Sequence, residues 1–168
     1  MLQDSLLACT GGGTGGHVFP ALAVIEELKA RGYHRFFWIG SPAGVERRMV
    51  EDAQIPYRAV PSGKLRRYFS IQNGVDLFKV GAGFFASRGI LKKERPALLF
   101  SKGGFVSVPP VAAAGSLGIP VISHESDLDP GLATRLNARA SLVTLTAYPE
   151  TAAALEATGR RALALGNP

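Results

Sequence analysis

The fold of this chain is decided by one stretch near its start, Ser5-Leu6-Leu7-Ala8-Cys9-Thr10-Gly11-Gly12-Gly13-Thr14-Gly15-Gly16-His17-Val18-Phe19-Pro20. Its apolar first part predicts a short buried strand, and five glycines in the next six positions leave the backbone free to bend. Pro20 predicts the start of a helix, because the first helical turn does not use the N–H that proline lacks. Free N–H groups and a helix dipole then face the same point, so we expect an anion-binding loop rather than an ordinary turn.

The composition indicates one globular domain without disulfides. The chain has 168 residues, of which 46% are apolar and 19% charged, and this allows a sizeable core. Cys9 is the only cysteine, so an internal disulfide is excluded, a reducing cytoplasm is favoured, and Cys9 is expected in the core. We expect neither a signal peptide nor a spanning helix, because the start is not basic and no apolar run reaches about 18 residues.

The positive charge is concentrated in one segment. Eight basic and two acidic side chains between Lys64 and Arg95 account for the whole formal net charge of +6. The rest of the chain is balanced. A basic segment of this kind predicts an anionic partner, which at this point is a membrane surface, a nucleic acid or a phosphorylated substrate.

Strand-like and helix-like segments alternate along the chain. This alternation predicts an α/β fold with a doubly wound parallel sheet, covered by helices on both faces. The predicted strands are the apolar run before the glycine loop and the segments 36–39, 57–60, 97–100, 120–123, 142–145 and 162–165. The predicted helices are 21–31, 44–53, 71–93, 108–117, 132–139 and 150–157.

Three polar loops, 11–17, 101–107 and 124–131, follow the carboxyl ends of predicted strands. Ligands of parallel α/β sheets bind outside these ends, where the connections change side. We therefore expect the three loops to converge on one crevice.

The residue types in these loops favour group transfer over redox chemistry or hydrolysis. Gly11, Gly13 and Gly16 satisfy the dinucleotide fingerprint, but the second strand ends without the acidic residue that would hold a ribose. The loop lacks the lysine of a Walker motif, the histidines lack metal-ligand spacing, and no Gly-x-Ser-x-Gly elbow occurs. Two glycine-rich N–H clusters, one histidine and the segment 124–127 suit removal of a proton from a hydroxyl beside a diphosphate.

Three blocks of the sequence resemble the MurG family of glycosyltransferases. They are Gly12-Gly13-Thr14-Gly15-Gly16-His17-Val18-Phe19-Pro20-Ala21-Leu22-Ala23, Gly103-Gly104-Phe105-Val106-Ser107 and Gly118-Ile119-Pro120-Val121-Ile122-Ser123-His124-Glu125. The resemblance implies a GT-B enzyme with two Rossmann-like domains, of which this chain is the N-terminal, acceptor-binding half. It also implies transfer of N-acetylglucosamine from UDP-GlcNAc to lipid I, forming lipid II, with inversion and without a metal or other cofactor.

The resemblance further implies roles for individual loop residues. His17 is the predicted catalytic residue, as the base for the acceptor C4 hydroxyl or as the group that orients the acceptor; the alternative is helix capping or phosphate contact. Glu125 has the alternative role of fixing the loop at His124. Asp127 stands where the family commonly has asparagine, and it adds charge and donates no hydrogen bond. The predicted substrate-binding residues are Thr14, Gly15, Gly16, Gly103, Gly104, Phe105, Ser107, Glu125 and Asp127.

The resemblance also sets the expected domain boundary. Residues 1–165 are predicted to form the N-terminal domain and 166–168 to begin the interdomain linker. The UDP-GlcNAc-binding C-terminal domain is then a partner outside this chain, and this half alone is expected to be inactive. The alternative is a non-catalytic, membrane-docked acceptor subunit that recruits a separate donor-binding chain.

The basic segment is predicted to bind an anionic membrane surface rather than nucleic acid, because the implied acceptor is lipid-linked. This places the protein at the cytoplasmic face of the bacterial cell membrane, as a peripheral protein. Gly81 and Gly83 weaken a rigid core helix, and of the adjacent Phe84 and Phe85 at least one is expected to face outward. The alternative is a core helix with a solvated basic face. The predicted membrane patch is Lys64, Arg66, Arg67, Ile71, Phe78, Lys79, Phe84, Phe85, Arg88 and Lys92.

Overall fold

A parallel sheet of seven strands runs through the described residues, 2–63 and 71–168, of this computed structural model. In chain order the strands are β1 (Leu7–Thr10), β2 (Phe36–Gly40), β3 (Tyr57–Ala59), β4 (Leu98–Ser101), β5 (Val121–Glu125), β6 (Val143–Thr146) and β7 (Ala162–Ala164). Across the sheet their order is β3-β2-β1-β4-β5-β6-β7, and each neighbouring pair is parallel. The predicted doubly wound parallel sheet is confirmed.

Each predicted helix is present, with ends that differ by a few residues. The helices are α1 (Phe19–Ala30), α2 (Val45–Asp52), α3 (Ile71–Glu94), α4 (Val108–Ser116), α5 (Leu132–Asn137) and α6 (Pro149–Glu156). Short 3-10 turns at Leu2–Asp4, Gly15–His17 and Phe105–Ser107 complete the described elements. β5 continues through His124 and Glu125, which the sequence pattern placed in a loop. Pairing with β6, where Glu125 lies opposite Thr146, holds these polar residues in the sheet.

The alternation of side chains along the strands divides the core into two layers. Ala8 and Phe37 face a layer that α3 and α4 cover. Cys9 and Trp38 face the opposite layer, which α1 and α2 cover. Cys9 is buried, which confirms it as a core residue, and this burial raises the pKa of its thiol to about 12.

The central position of β1 brings the polar loops together. β1 lies between β2 and β4, so the loops that leave β1 and β4 are neighbours. Thr10 pairs with Ser101, and Ser101 pairs with Ser123, so β1, β4 and β5 reach the same level at their carboxyl ends. The sheet therefore fixes where a crevice must open.

The glycines of α3 do not interrupt the helix, contrary to the expectation that they would weaken it. Gly83 is buried, and a Cβ added there would lie 2.0 Å from the Pro61 carbonyl oxygen. Glycine is therefore needed at Gly83 for close approach, whereas Gly81 has open space around its Cβ position. No helix in the described part of the chain is long and apolar enough to cross a bilayer.

Candidate active site

Two glycine loops interlock at the carboxyl ends of β1 and β4. A Cβ on Gly104 would lie 2.2 Å from the Gly12 carbonyl oxygen, and one on Gly13 would lie 2.6 Å from the Phe105 ring. Gly13 and Gly104 also have positive φ angles, 90° and 77°, which side chains disfavour. The glycines are thus required for contact between the loops as well as for turning the chain.

His17 ends the 3-10 turn of the first loop and is half-buried against the second loop. Its Nδ1 lies 3.2 Å from the Lys102 carbonyl oxygen. Because a carbonyl only accepts, Nδ1 carries the hydrogen in this contact and Nε2 keeps its lone pair. Nε2 has no hydrogen-bond partner among residues 2–63 and 71–168, so it is free to accept a proton.

Glu46, at the start of α2, supports the first glycine loop from beneath and was missed by sequence reasoning. Its buried carboxylate accepts hydrogen bonds from the Gly13 N–H at 3.2 Å and from the Ser41 N–H and hydroxyl at 3.0 and 2.5 Å. The carboxylate fills space next to Gly12 and Gly44, where an added Cβ would lie within 2.5 Å of it. An acidic residue in a first helical turn looks like an ordinary helix-end charge in sequence, so this role had no distinct pattern.

This arrangement limits the predicted anion-binding loop. The Gly13 N–H is occupied by a carboxylate, so it is unavailable to a ligand anion in this structure. Thr14 and Gly16 are exposed and Gly15 is half-buried. An anion at this loop would therefore meet the segment from Thr14 to Gly16 rather than the first three glycines.

Asn137 and Ser107 brace the second glycine loop. The Ser107 hydroxyl donates to the Gly104 carbonyl at 2.7 Å and accepts from Asn137 Nδ2 at 2.7 Å. Ser107 is fully buried. In this structure Ser107 holds the loop from inside, and its predicted contact with substrate stays a prediction. Gly103 is also buried, with φ 88°.

Glu125 fixes the third loop with both carboxylate oxygens. Oε1 accepts the Asp127 N–H at 3.0 Å, and Oε2 accepts the Thr134 hydroxyl. Glu125 is 4% exposed. This geometry supports the alternative role that the sequence left open for Glu125, in which it fixes the loop rather than binding substrate. Asp127 is exposed.

Lys102 is a buried cation that sequence reasoning did not select. Only 1% of the residue is exposed, and its Nζ donates to the Ser126 hydroxyl. Burial lowers the pKa of Lys102, and the carboxylates of Glu125 and Asp127 oppose this effect. The position of Lys102 directly before Gly103-Gly104 was the available signal for a role at the site, but the local sequence does not show that the lysine is buried.

The end of the chain contacts the same region. His124 Nε2 donates to the Gly166 carbonyl oxygen at 2.9 Å, and the Ser126 hydroxyl donates to Asn167 Oδ1 at 2.7 Å. Burial is the main cause that lowers the pKa of His124, which favours its neutral form. These contacts tie the third loop to the segment that follows β7.

A crevice of about 240 Å³ opens between these loops. Its wall includes His17, Gly104, Phe105, Glu125 and Asp127, which come from all three polar loops. The predicted convergence of the loops is confirmed. The roles predicted for these residues toward a substrate stay predictions. The described part of this wall does not include Thr14, Gly15, Gly16, Gly103 or Ser107.

The outer face of α3 carries an exposed apolar strip. Phe78, Phe85 and Leu77 are 79%, 73% and 62% exposed, beside Gly81 and Ala82. Lys79, Arg88 and Lys92 are exposed as well, with Lys79 Nζ 4.0 Å from an Asp76 carboxylate oxygen.

Phe84 departs from the predicted patch. It packs partly buried against the core layer of α3 and α4, while Phe85 faces outward, with the two ring centroids 5.2 Å apart. The expectation that at least one of the pair faces outward is confirmed by Phe85, while Phe84 is partly buried against the core. Lys64, Arg66, Arg67 and the Ile71 side chain lie outside what the structure describes.

The seven-stranded parallel sheet, with its crevice at the carboxyl ends of the strands, is a Rossmann-like α/β fold of the kind that GT-B glycosyltransferases contain. The profile of the family described as "Glycosyltransferase family 28 N-terminal domain" matches residues 7–145. The chain belongs to this family.

Individual relatives agree with the resemblance to MurG. A Treponema denticola protein named UDP-N-acetylglucosamine–N-acetylmuramyl-(pentapeptide) pyrophosphoryl-undecaprenol N-acetylglucosamine transferase is 52% identical over 95% of this chain. The crystal structure of Acinetobacter baumannii MurG matches 98% of the chain with a TM-score of 0.81 and 28% identity. A UDP-N-acetylglucosamine 2-epimerase from Rickettsia bellii, with a TM-score of 0.70 over 98% of this chain and 45% of its own, is 16% identical and shows the shared fold alone.

The chain spans about half the length, or less, of the curated relatives and solved structures that it matches. It covers 43% of the Treponema denticola protein and 46% of the Acinetobacter baumannii chain. The comparisons do not favour a non-catalytic subunit, since these relatives carry the matching region within a longer transferase.

Proposed function

We propose that this chain is the acceptor-binding half of an inverting transferase that moves N-acetylglucosamine from UDP-GlcNAc to lipid I, forming lipid II in peptidoglycan synthesis. The name of the 52% identical relative supplies this donor and acceptor. The observation that carries the proposal is His17, which lines the crevice with Nδ1 held by the Lys102 carbonyl and Nε2 free. A histidine whose Nδ1–H is held by a carbonyl and whose Nε2 is unpartnered is oriented to accept a proton from a hydroxyl.

The proposed step is a displacement at the anomeric carbon of the donor sugar. The acceptor C4 hydroxyl oxygen forms a new bond to the anomeric carbon, while the bond between the anomeric carbon and the diphosphate oxygen breaks. The hydroxyl proton moves to Nε2 of His17, and UDP leaves with the bonding electrons. In this proposal the backbone N–H groups of the exposed turn from Thr14 to Gly16 bind a substrate diphosphate, because N–H donors suit its negative charge. Gly104, Phe105 and Asp127 line the crevice in which the acceptor would lie.

The donor nucleotide belongs to a second domain in this proposal. Residues 1–165 form the acceptor domain and 166–168 begin the linker. Contacts of His124 with Gly166 and of Ser126 with Asn167 support it, because they attach the start of that linker directly to the crevice loops.

The exposed strip of α3 is proposed to dock on anionic lipid at the cytoplasmic face of the membrane. Phe78 and Phe85 provide apolar side chains, while Arg88 and Lys92 continue the same helical face at i+3 and i+7 from Phe85. Val80 of the same helix lines the crevice. A lipid-linked acceptor could then reach the crevice without its diphosphate leaving the bilayer surface.

The enzymatic proposal is tested in a chimera that joins this chain to the C-terminal part of the Treponema denticola relative. We expect GlcNAc transfer from UDP-GlcNAc to a lipid I analogue in the chimera and none from this chain alone. His17→Ala is expected to lower kcat by about 10²–10⁴, because a positioned base contributes about that much. The matched control is the exposed His34→Ala, which should leave kcat unchanged. A loss confined to KM would assign His17 to binding instead.

The membrane proposal is tested by co-sedimentation of this chain with vesicles. We expect binding to anionic and not to neutral vesicles, weakened by salt through screening. Replacing Phe78 and Phe85 together by serine should weaken binding, whereas the same replacement of Leu142 and Leu165, which are 57% and 64% exposed elsewhere on the surface, serves as the control. Equal, negligible binding to both vesicle types would refute docking.

A further inference from the structure

We propose that Lys102 is a positioning residue: its buried ammonium holds Ser126 and balances the carboxylates of Glu125 and Asp127, so that an anionic acceptor can bind beside them. This inference rests on the proposed function. Lys102 acts on substrate binding indirectly, by holding the third loop, because the Lys102 side chain is buried beneath the described wall of the crevice and does not line it.

The backbone of Lys102 is fixed on the side of the first loop. Its N–H donates to the Thr10 carbonyl oxygen at 2.9 Å, and its own carbonyl accepts from His17 Nδ1 at 3.2 Å. Lys102 follows β4 directly, so its backbone and side chain leave the sheet at the switch point. The Lys102 carbonyl thereby fixes the hydrogen of the His17 ring on Nδ1, while the Lys102 side chain extends to the third loop.

The side chain of Lys102 fixes the direction of a hydrogen-bond chain in the third loop. Lys102 Nζ has only donors, so the Ser126 oxygen accepts from it and the Ser126 hydrogen points to Asn167 Oδ1, 2.7 Å away. Without the ammonium, Ser126 would lose this orienting donor. The position of residues 125–127 therefore depends on Lys102 as well as on Glu125.

The charge of Lys102 explains how Asp127 is accommodated at this position. Asp127 lines the crevice where the resembled family commonly has asparagine, and Glu125 adds a second carboxylate to the same wall. Two carboxylates would repel the diphosphate of the proposed acceptor. The Lys102 ammonium, which donates to Ser126 between these two residues, offsets that repulsion.

The first test measures acceptor kinetics in the chimera described above. Lys102→Met keeps a long apolar stem without charge, and we expect KM for the lipid I analogue to rise about tenfold, or about 1.4 kcal/mol, with kcat changed less than about threefold. The double variant Lys102→Met with Asp127→Asn should return KM to within about threefold of the starting chimera, since the lost cation is matched by a lost anion. Lys29→Met, at a distant exposed ion pair on α1, is the control.

The second test separates this inference from the proposed function. The unfolding midpoint in urea is measured for this chain and its Lys102→Met, Asp127→Asn and double variants. We expect Lys102→Met to lower the midpoint and Asp127→Asn to restore part of the loss, whether or not the chimera transfers sugar. If the starting chimera is inactive but this rescue occurs, the proposed function fails and the positioning role stands. Absence of rescue in both tests, or an unchanged KM for Lys102→Met in an active chimera, would overturn the inference.

Discussion

Two buried glutamates support the crevice in different ways. Glu46 lies beneath the first glycine loop, and its oxygens accept from Gly13 and Ser41. Glu125 lies beneath the third loop, and its oxygens accept from Asp127 and Thr134.

The difference between them is the charge that surrounds each carboxylate. Lys102 lies near Glu125 and responds to its charge, whereas the contacts of Glu46 are hydrogen bonds from backbone and hydroxyl donors. The first loop is therefore held by hydrogen-bond geometry and the third by geometry together with a balance of charges. The two loops should therefore respond differently when the charge of Lys102 is removed.

The largest effect is expected from removing the Glu46 carboxylate. Glu46→Ala leaves buried donors at Gly13 and Ser41 unpaired, so we expect the free energy of unfolding to fall by about 3 kcal/mol. Urea unfolding of the chain measures it. Glu51→Ala, which removes an exposed ion pair with Arg47 on the same helix, should change it by less than about 0.5 kcal/mol. Equal effects of the two variants would show that Glu46 does not hold the loop.

A smaller effect distinguishes the two glutamates directly. In Glu46→Gln either orientation of the amide places an NH2 group against a backbone N–H, so we expect a loss of about 1–2 kcal/mol, with or without Lys102→Met. For Glu125→Gln we expect the loss to shrink by about 1 kcal/mol when Lys102→Met is already present, because the unbalanced cation is gone. Double-mutant cycles in urea measure both. Equal coupling to Lys102 at the two sites would remove the distinction.

The smallest expected effect is a pH dependence of the free energy of unfolding that arises from His124 in the third loop. Burial first of all lowers the pKa of His124, so the unfolded chain binds the proton more readily than the folded one. The contribution of His124 to stability should then be fully present above about pH 6.5, the unfolded pKa, and be lost as the pH decreases from there through the lower folded pKa.

His124→Gln tests this dependence, because glutamine keeps a donor for the Gly166 carbonyl but does not titrate. Between about pH 5 and 7 its free energy of unfolding should vary less than that of the starting chain, and the exposed His34→Gln should behave like the starting chain. Identical slopes for the starting chain and His124→Gln would contradict the prediction.

The sequence by itself determined the fold and the position of the crevice. Apolar runs alternating with helical periodicity predict a parallel sheet, and parallel strands bring the loops at their carboxyl ends to one edge. The glycine block and His17 are contiguous in the chain, so their local pattern could be interpreted without knowing the packing.

Only the tertiary structure decided which residues support the crevice and which face it. Glu46 and Lys102 look like surface charges in sequence, yet one lies under Gly13 and the other under Ser126. Ser107 was predicted to bind substrate and Phe84 to meet a membrane; in the structure Ser107 bonds to Asn137 and Phe84 packs partly buried against the core. The physical reason is that burial and pairing depend on contacts between residues far apart in the chain, which local patterns do not encode.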